Sequence, residues 1–131
     1  MRALALLPWL LAAALAQVQV AATTPILADL VRQVGGNRVA AVAVLPPGAD
    51  PHTFEPTPPV AQALSQTRLL FANGLGLEPY PPRLQALLPK NAQVVLLGEG
   101  QPGLICGEDH AEEDHGHGPC DPHLWLDPAY A

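Results

Sequence analysis

Two histidines in this 131-residue chain follow the same dipeptide, His52 in "DPHTFEPTPP" and His123 in "DPHLWLDP". A chain with this content of Asp, Pro and His would hold about 0.03 copies of Asp-Pro-His by chance, so the repeat has a cause. Neutral imidazole is a good ligand for zinc, and it serves best when one ring nitrogen is held pointing at the ion. Pro51 and Pro122 fix the dihedral just ahead of each histidine and push Asp50 and Asp121 towards an extended conformation. Each Asp can then accept a hydrogen bond from the other ring nitrogen and so select the tautomer. His52 and His123 form the candidate principal metal site, with Asp50 and Asp121 behind them. Singly, each tripeptide is better read as an ordinary turn whose Asp caps a helix; the recurrence favours metal.

A second cluster lies in the long polar stretch 98–120, where His110, His115 and His117 are interleaved with Glu108, Asp109, Glu112, Glu113 and Asp114. Such a tract collects divalent ions by composition, although each site costs ordering entropy, and it fits an auxiliary collector or selector. The alternative is a solvated acidic loop with incidental histidines. Cys106 and Cys120 flank the tract. In an exported protein such a pair forms a disulfide, here closing a loop of about 15 residues, and the rival is a site of two thiolates with loop histidines. The spacing is not that of a C-x-x-C site.

Other polar and aromatic residues carry simpler expectations. Glu55 is expected to cap the helix entered at Thr57 and Pro58, Glu78 to be a favourable charge at a helix start, and Phe54 and Trp125 to pack around loops. The stretch "GLGLE" lacks the strand-glycine-helix spacing of a phosphate-binding fingerprint, and no Ser-His-Asp or Cys-His arrangement stands out. A zinc-dependent hydrolase is the alternative enzyme class, with no general base placed by spacing. A metal-binding adhesin or buffer is the third class.

The elements that must carry these groups are legible from periodicity. Residues 17–21 read as a strand; Thr24 and Pro25 open a helix bearing Ile26, Leu27, Leu30, Val31 and Val34, closed by Gly35 and Gly36. Residues 39–45 read as a second strand, ending just before the first Asp-Pro-His. A short helix with Val60 and Leu64, a strand over 69–72, a helix with Leu84, Leu87 and Leu88, and a strand over 94–97 follow. Asp127 and Pro128 read as the entry to a further helix. Apolar strands alternating with amphipathic helices predict an α/β fold, a parallel sheet flanked by helices. Ligands of such sheets bind beyond the carboxyl ends of the strands, where His52 falls.

Length and a hydrophobic content of 49% suit one domain with a core, and a formal charge of −6 disfavours a nucleic-acid partner and favours a cation. Residues 1–16 read as a signal peptide: Arg2, an apolar run from Ala3 to Leu15, and Ala14-Leu15-Ala16 as a small-x-small cleavage site. The run is shorter than the roughly 20 residues of a spanning helix, so export to the periplasm or extracytoplasmic face is expected.

Taken together, "VGGNRV", "PPGADPHTFEPTP", "NGLGLEPY" and "DPHLWLDP" resemble the metal-binding receptors of bacterial ABC importers for zinc and manganese, in the family's order and over the chain from Gln17 onward. The resemblance implies two α/β lobes joined by a long helix, a metal held between them, and delivery to a membrane permease driven by an ATPase. It makes His52 the first histidine ligand and His123 the second. A third ligand and a carboxylate would come from the connecting region and second lobe. Residues 17–131 are accordingly expected to be an N-terminal lobe, with the second lobe absent. The His- and acid-rich stretch resembles that of the zinc-specific members, so Zn2+ is the expected cargo, with Mn2+ as the alternative. A monomer is expected, whose mechanism is capture and handover of the ion without covalent chemistry.

Overall fold

The computed structural model describes residues 16–50, 53–78, 81–107 and 120–130. The expected signal peptide therefore lies, apart from Ala16, outside the described residues. No helix among the described residues is long and apolar enough to cross a membrane.

Four strands, β1 (Val18–Ala22), β2 (Val39–Ala43), β3 (Leu69–Ala72) and β4 (Gln93–Leu96), form one parallel sheet in the order β2-β1-β3-β4. Val20 of β1 aligns with Ala41 on one side and Leu69 on the other, and Leu70 aligns with Val94. Parallel pairing requires crossovers, and three helices supply them: α1 (Pro25–Gly35), α2 (Pro58–Leu64) and α3 (Pro81–Gln85).

Successive strand residues face opposite sides of the sheet, and the core divides accordingly. Ala21 and Leu70 pack with Leu64 of α2, Leu84 of α3 and Val44; Phe54, Val60, Leu88 and Val94 complete that side. Their neighbours Ala22 and Phe71 pack on the other side with Leu27, Ala28 and Leu30 of α1. The sheet is thus covered on both faces, as the near-continuous apolar strands predict.

Helix α1 starts as the sequence implies: Thr24 Oγ1 accepts from the Leu27 amide at 3.3 Å, and Pro25 occupies the first turn, where an amide hydrogen has no helical partner. Its buried stripe is narrower than the periodicity suggested. Leu27 and Ala28 are buried, whereas Val34 is 91% exposed. The last turn meets β2 through Gly35, which lies against Val39, and Val34 is left to solvent. Helix α3 is shorter than expected, because Leu88 precedes Pro89: a residue before proline avoids the helical region, and Pro89 cannot donate to the Gln85 carbonyl. Tighter turns replace the missing helix, with Leu87 N donating to Leu84 O and Leu88 N to Gln85 O.

The strand order reverses direction between β1 and β3, since the chain leaves β1 for one neighbour and later returns to the other side of it. Such a switch point opens a crevice at the carboxyl ends of the two strands. Thr23 and Asn73, the residues that follow β1 and β3, stand at that crevice and are buried.

Candidate metal-binding site

The second Asp-Pro-His is built around one carboxylate oxygen. Asp121 Oδ1 accepts from the His123 amide at 2.9 Å and lies 2.7 Å from His123 Nδ1. Proline between them has no amide hydrogen, so the first backbone donor the carboxylate meets is that of His123, and the resulting Asx-turn brings the imidazole back to the same oxygen. A neutral ring in this contact carries its proton on Nδ1, which puts the ligating lone pair on Nε2. The ring also stands edge-to-face against Trp125, with centroids 5.4 Å apart and an interplanar angle of 68°. His123 and Asp121 line a shallow cavity of about 220 Å³ together with Asp127, Ile105 and Leu126.

The tripeptide is anchored to the sheet through its middle residue. Asn73 Nδ2 donates to the Pro122 carbonyl at 2.8 Å, and Pro122 is buried. Asn73 is itself fixed by Glu78, whose carboxylate accepts from the Asn73 amide at 2.9 Å, from the Gly74 amide at 3.1 Å and from the Thr23 hydroxyl. Glu78 is 6% exposed. The charge expected at a helix start is thus a buried carboxylate satisfied by three donors, joining the ends of β1 and β3. The reversal that turns it inward uses positive φ at Gly74, Leu75 and Gly76, a conformation glycine adopts readily and Leu75 does not.

Upstream, Cys106 and Cys120 are joined in a disulfide, and the Asp121 amide donates to the Ile105 carbonyl at 2.8 Å. Downstream, Leu124–Leu126 makes a 3-10 turn that the sequence did not reveal. Asp127 then caps a turn, accepting from the Ala129 amide at 2.9 Å.

In the first Asp-Pro-His, Asp50 Oδ2 accepts from the Thr53 hydroxyl at 3.2 Å. This segment leaves the sheet beyond Leu45, whose amide donates to the Thr23 carbonyl at the same carboxyl edge. His52 lies outside the described residues, as do His110, His115 and His117. The structure thus brings Asp121 to His123 and joins the two cysteines. Among the described residues no group of three or more His, Cys, Asp or Glu side chains is arranged to hold a metal ion. Glu55 does not cap α2: it pairs with Arg83 at the surface. Phe54, expected to pack around loops, packs against the core beside Ala21, Leu64 and Leu70.

Residues 20–131 match the profile of a family described as ZnuA, zinc-uptake complex component A, periplasmic. The chain belongs to this zinc-uptake family. Its relatives include the manganese-binding lipoprotein MntA of Halalkalibacterium halodurans, 35% identical over 102 residues, which are 78% of this chain and 31% of that protein. The manganese ABC transporter substrate-binding lipoprotein PsaA of Streptococcus pneumoniae is 32% identical over 114 residues, 84% of this chain and 36% of that one. A zinc-bound ZnuA deletion mutant of known crystal structure superposes with a TM-score of 0.72 at 27% identity, over 88% of this chain and 42% of that chain. This member of the zinc-uptake family spans about a third of the length of the curated relatives it matches.

Proposed function

We propose that this chain contributes half of a divalent-metal site to the extracytoplasmic substrate-binding component of an ABC importer, which captures the ion and hands it to a membrane permease. His123 and His52 are the ligands, and Asp121 and Asp50 orient them. The observation that carries the reading is the Asp121 carboxylate on both the amide and Nδ1 of His123, at the carboxyl edge of a parallel sheet. A carboxylate behind a ligating histidine fixes the ring and raises its basicity. Capture and release exchange only coordinate bonds to the ion and transform no substrate, so the proposed role is that of a receptor and not an enzyme.

Zinc is the proposed cargo. Two imidazoles suit zinc better than manganese in the general affinity order, and the family description names zinc uptake. The relatives named for manganese make this a point to test. Residues 17–131 act as the N-terminal lobe of a two-lobed monomer, residues 1–16 direct export, and the tract with His110, His115 and His117 collects ions for the principal site.

Competition of Zn2+ and Mn2+ for the full chain against a chromogenic chelator tests both parts of the proposal. His52→Ala and His123→Ala should each weaken zinc binding sharply, and zinc should be retained over manganese. Variants that titrate zinc like the parent would remove the ligand assignment. Stronger retention of manganese would reverse the choice of ion.

A further inference from the structure

Within the second Asp-Pro-His the Pro122 carbonyl is met by a side chain 49 positions away. That side chain does little else: Asn73 Nδ2 donates to Pro122 O at 2.8 Å and more weakly to Gly74 O at 3.2 Å. Its backbone is held on two sides, its amide by Glu78 and its carbonyl by the Gly98 amide at 2.8 Å. Glu78 in turn takes the Thr23 hydroxyl from the end of β1. A rigid post, tied to three strands of the sheet, therefore ends in one carboxamide aimed at the residue before His123.

We infer that Asn73 is a positioning residue for the metal site, setting where the His123 imidazole stands relative to the sheet. Asp121 fixes the ring's tautomer and its rotation within the tripeptide, but both groups move together as a local turn. Only a bond from outside that turn can fix the turn itself. The Asp121 amide ties the turn to Ile105 beside the disulfide, whereas the Asn73 carboxamide ties it to the sheet, and the buried Glu78 and Thr23 keep the carboxamide from drifting. The same crevice at the β1/β3 switch point thus serves as the reference frame for a ligand carried by a distant loop. This inference rests on the proposal that His123 ligates the metal.

A double-mutant cycle in the full chain tests it, with zinc affinity measured by chelator competition. Asn73→Ala should weaken zinc binding about 10-fold, the lower end for a group that supports a ligand. In a His123→Ala background the same change should have no further effect. Asn73→Asp, equal in size but presenting oxygen to the Pro122 carbonyl, should behave like Asn73→Ala. Equal losses in both backgrounds would show that Asn73 acts on the fold at large and overturn the inference. A normal affinity for Asn73→Ala beside a weakened His123→Ala would overturn it while leaving the ligand assignment intact, whereas a normal His123→Ala would remove the ligand assignment instead. Should neither Asn73 variant fold, nuclear magnetic resonance of the unaltered chain decides. Zinc should then shift the Asn73 side-chain amide together with the His123 ring, and an unmoved Asn73 amide would refute the coupling.

Discussion

Asp121 Oδ1 sits 2.9 Å from the backbone amide and 2.7 Å from the ring Nδ1 of the same residue, His123. One oxygen thereby fixes both the turn and the tautomer. Asp121→Ala should lower zinc affinity by roughly 10- to 100-fold, the usual cost of losing a group behind a metal-binding histidine. The pair is half exposed, so its unfolding free energy should change by less than about 1 kcal/mol. Chelator competition and denaturant unfolding on the same preparation separate the two effects.

Glu78 carries a different expectation. Glu78→Ala leaves the Asn73 amide, the Gly74 amide and the Thr23 hydroxyl without their acceptor in a buried setting. Unfolding in urea should show a loss of about 2 to 4 kcal/mol, since an unsatisfied buried donor costs roughly 1 to 3 kcal/mol and water can reach part of the gap. A loss below 0.5 kcal/mol, about the size of a surface effect, would mean the carboxylate is dispensable.

At Gly98 the constraint is close approach. A Cβ there would lie 2.8 Å from the Asn73 carbonyl oxygen and 2.8 Å from a Leu75 methyl. The carbonyl is backbone and cannot swing aside, so Gly98→Ala should cost about 1 to 3 kcal/mol, seen as a lower thermal midpoint.

The Glu55–Arg83 pair is the contrasting case. Both side chains are largely exposed, at 71% and 66%. Arg83→Ala should change stability by less than about 1 kcal/mol and leave zinc affinity unaltered. A large affinity loss in this variant would give Glu55 a role at the metal that the surface pairing does not suggest.

The disulfide spans a separation of 14 residues. Reduction should lower stability by about 3 kcal/mol on the chain-entropy view, and alkylation should add two groups only after reductant is supplied.

The strands and the helix entries were legible because they depend on neighbours in sequence. Leu69–Ala72 lies where its apolar run ends at Asn73, and Thr24 caps α1 three residues ahead of the amide it receives. The contact of Asp121 with His123 was legible for the same reason, being set by a tripeptide. Glu78 was not. Its partner Thr23 is 55 positions away, and a glutamate before proline in a polar-looking turn carries no local sign of burial. The pair of glycines around Leu75 was the available signal, since two residues suited to positive φ foretell a reversal tight enough to fold a side chain back onto its own amides. Asn73 followed by Gly74 signals only a turn by residue type, and its grip on Pro122 depends on a loop that returns 49 positions later. The short α3 was legible in principle from Pro89 but was outweighed by the spacing of Leu84, Leu87 and Leu88.

Whether two imidazoles share one ion is best read from the ring nitrogens themselves, in long-range 1H–15N spectra of the full chain recorded during a zinc titration. The rings of His52 and His123 should shift together and stop shifting at the same stoichiometry, and acidification should reverse both because protons compete with the ion for imidazole. Rings that respond at different zinc ratios, or a His123 ring that does not respond at all, would contradict a shared site.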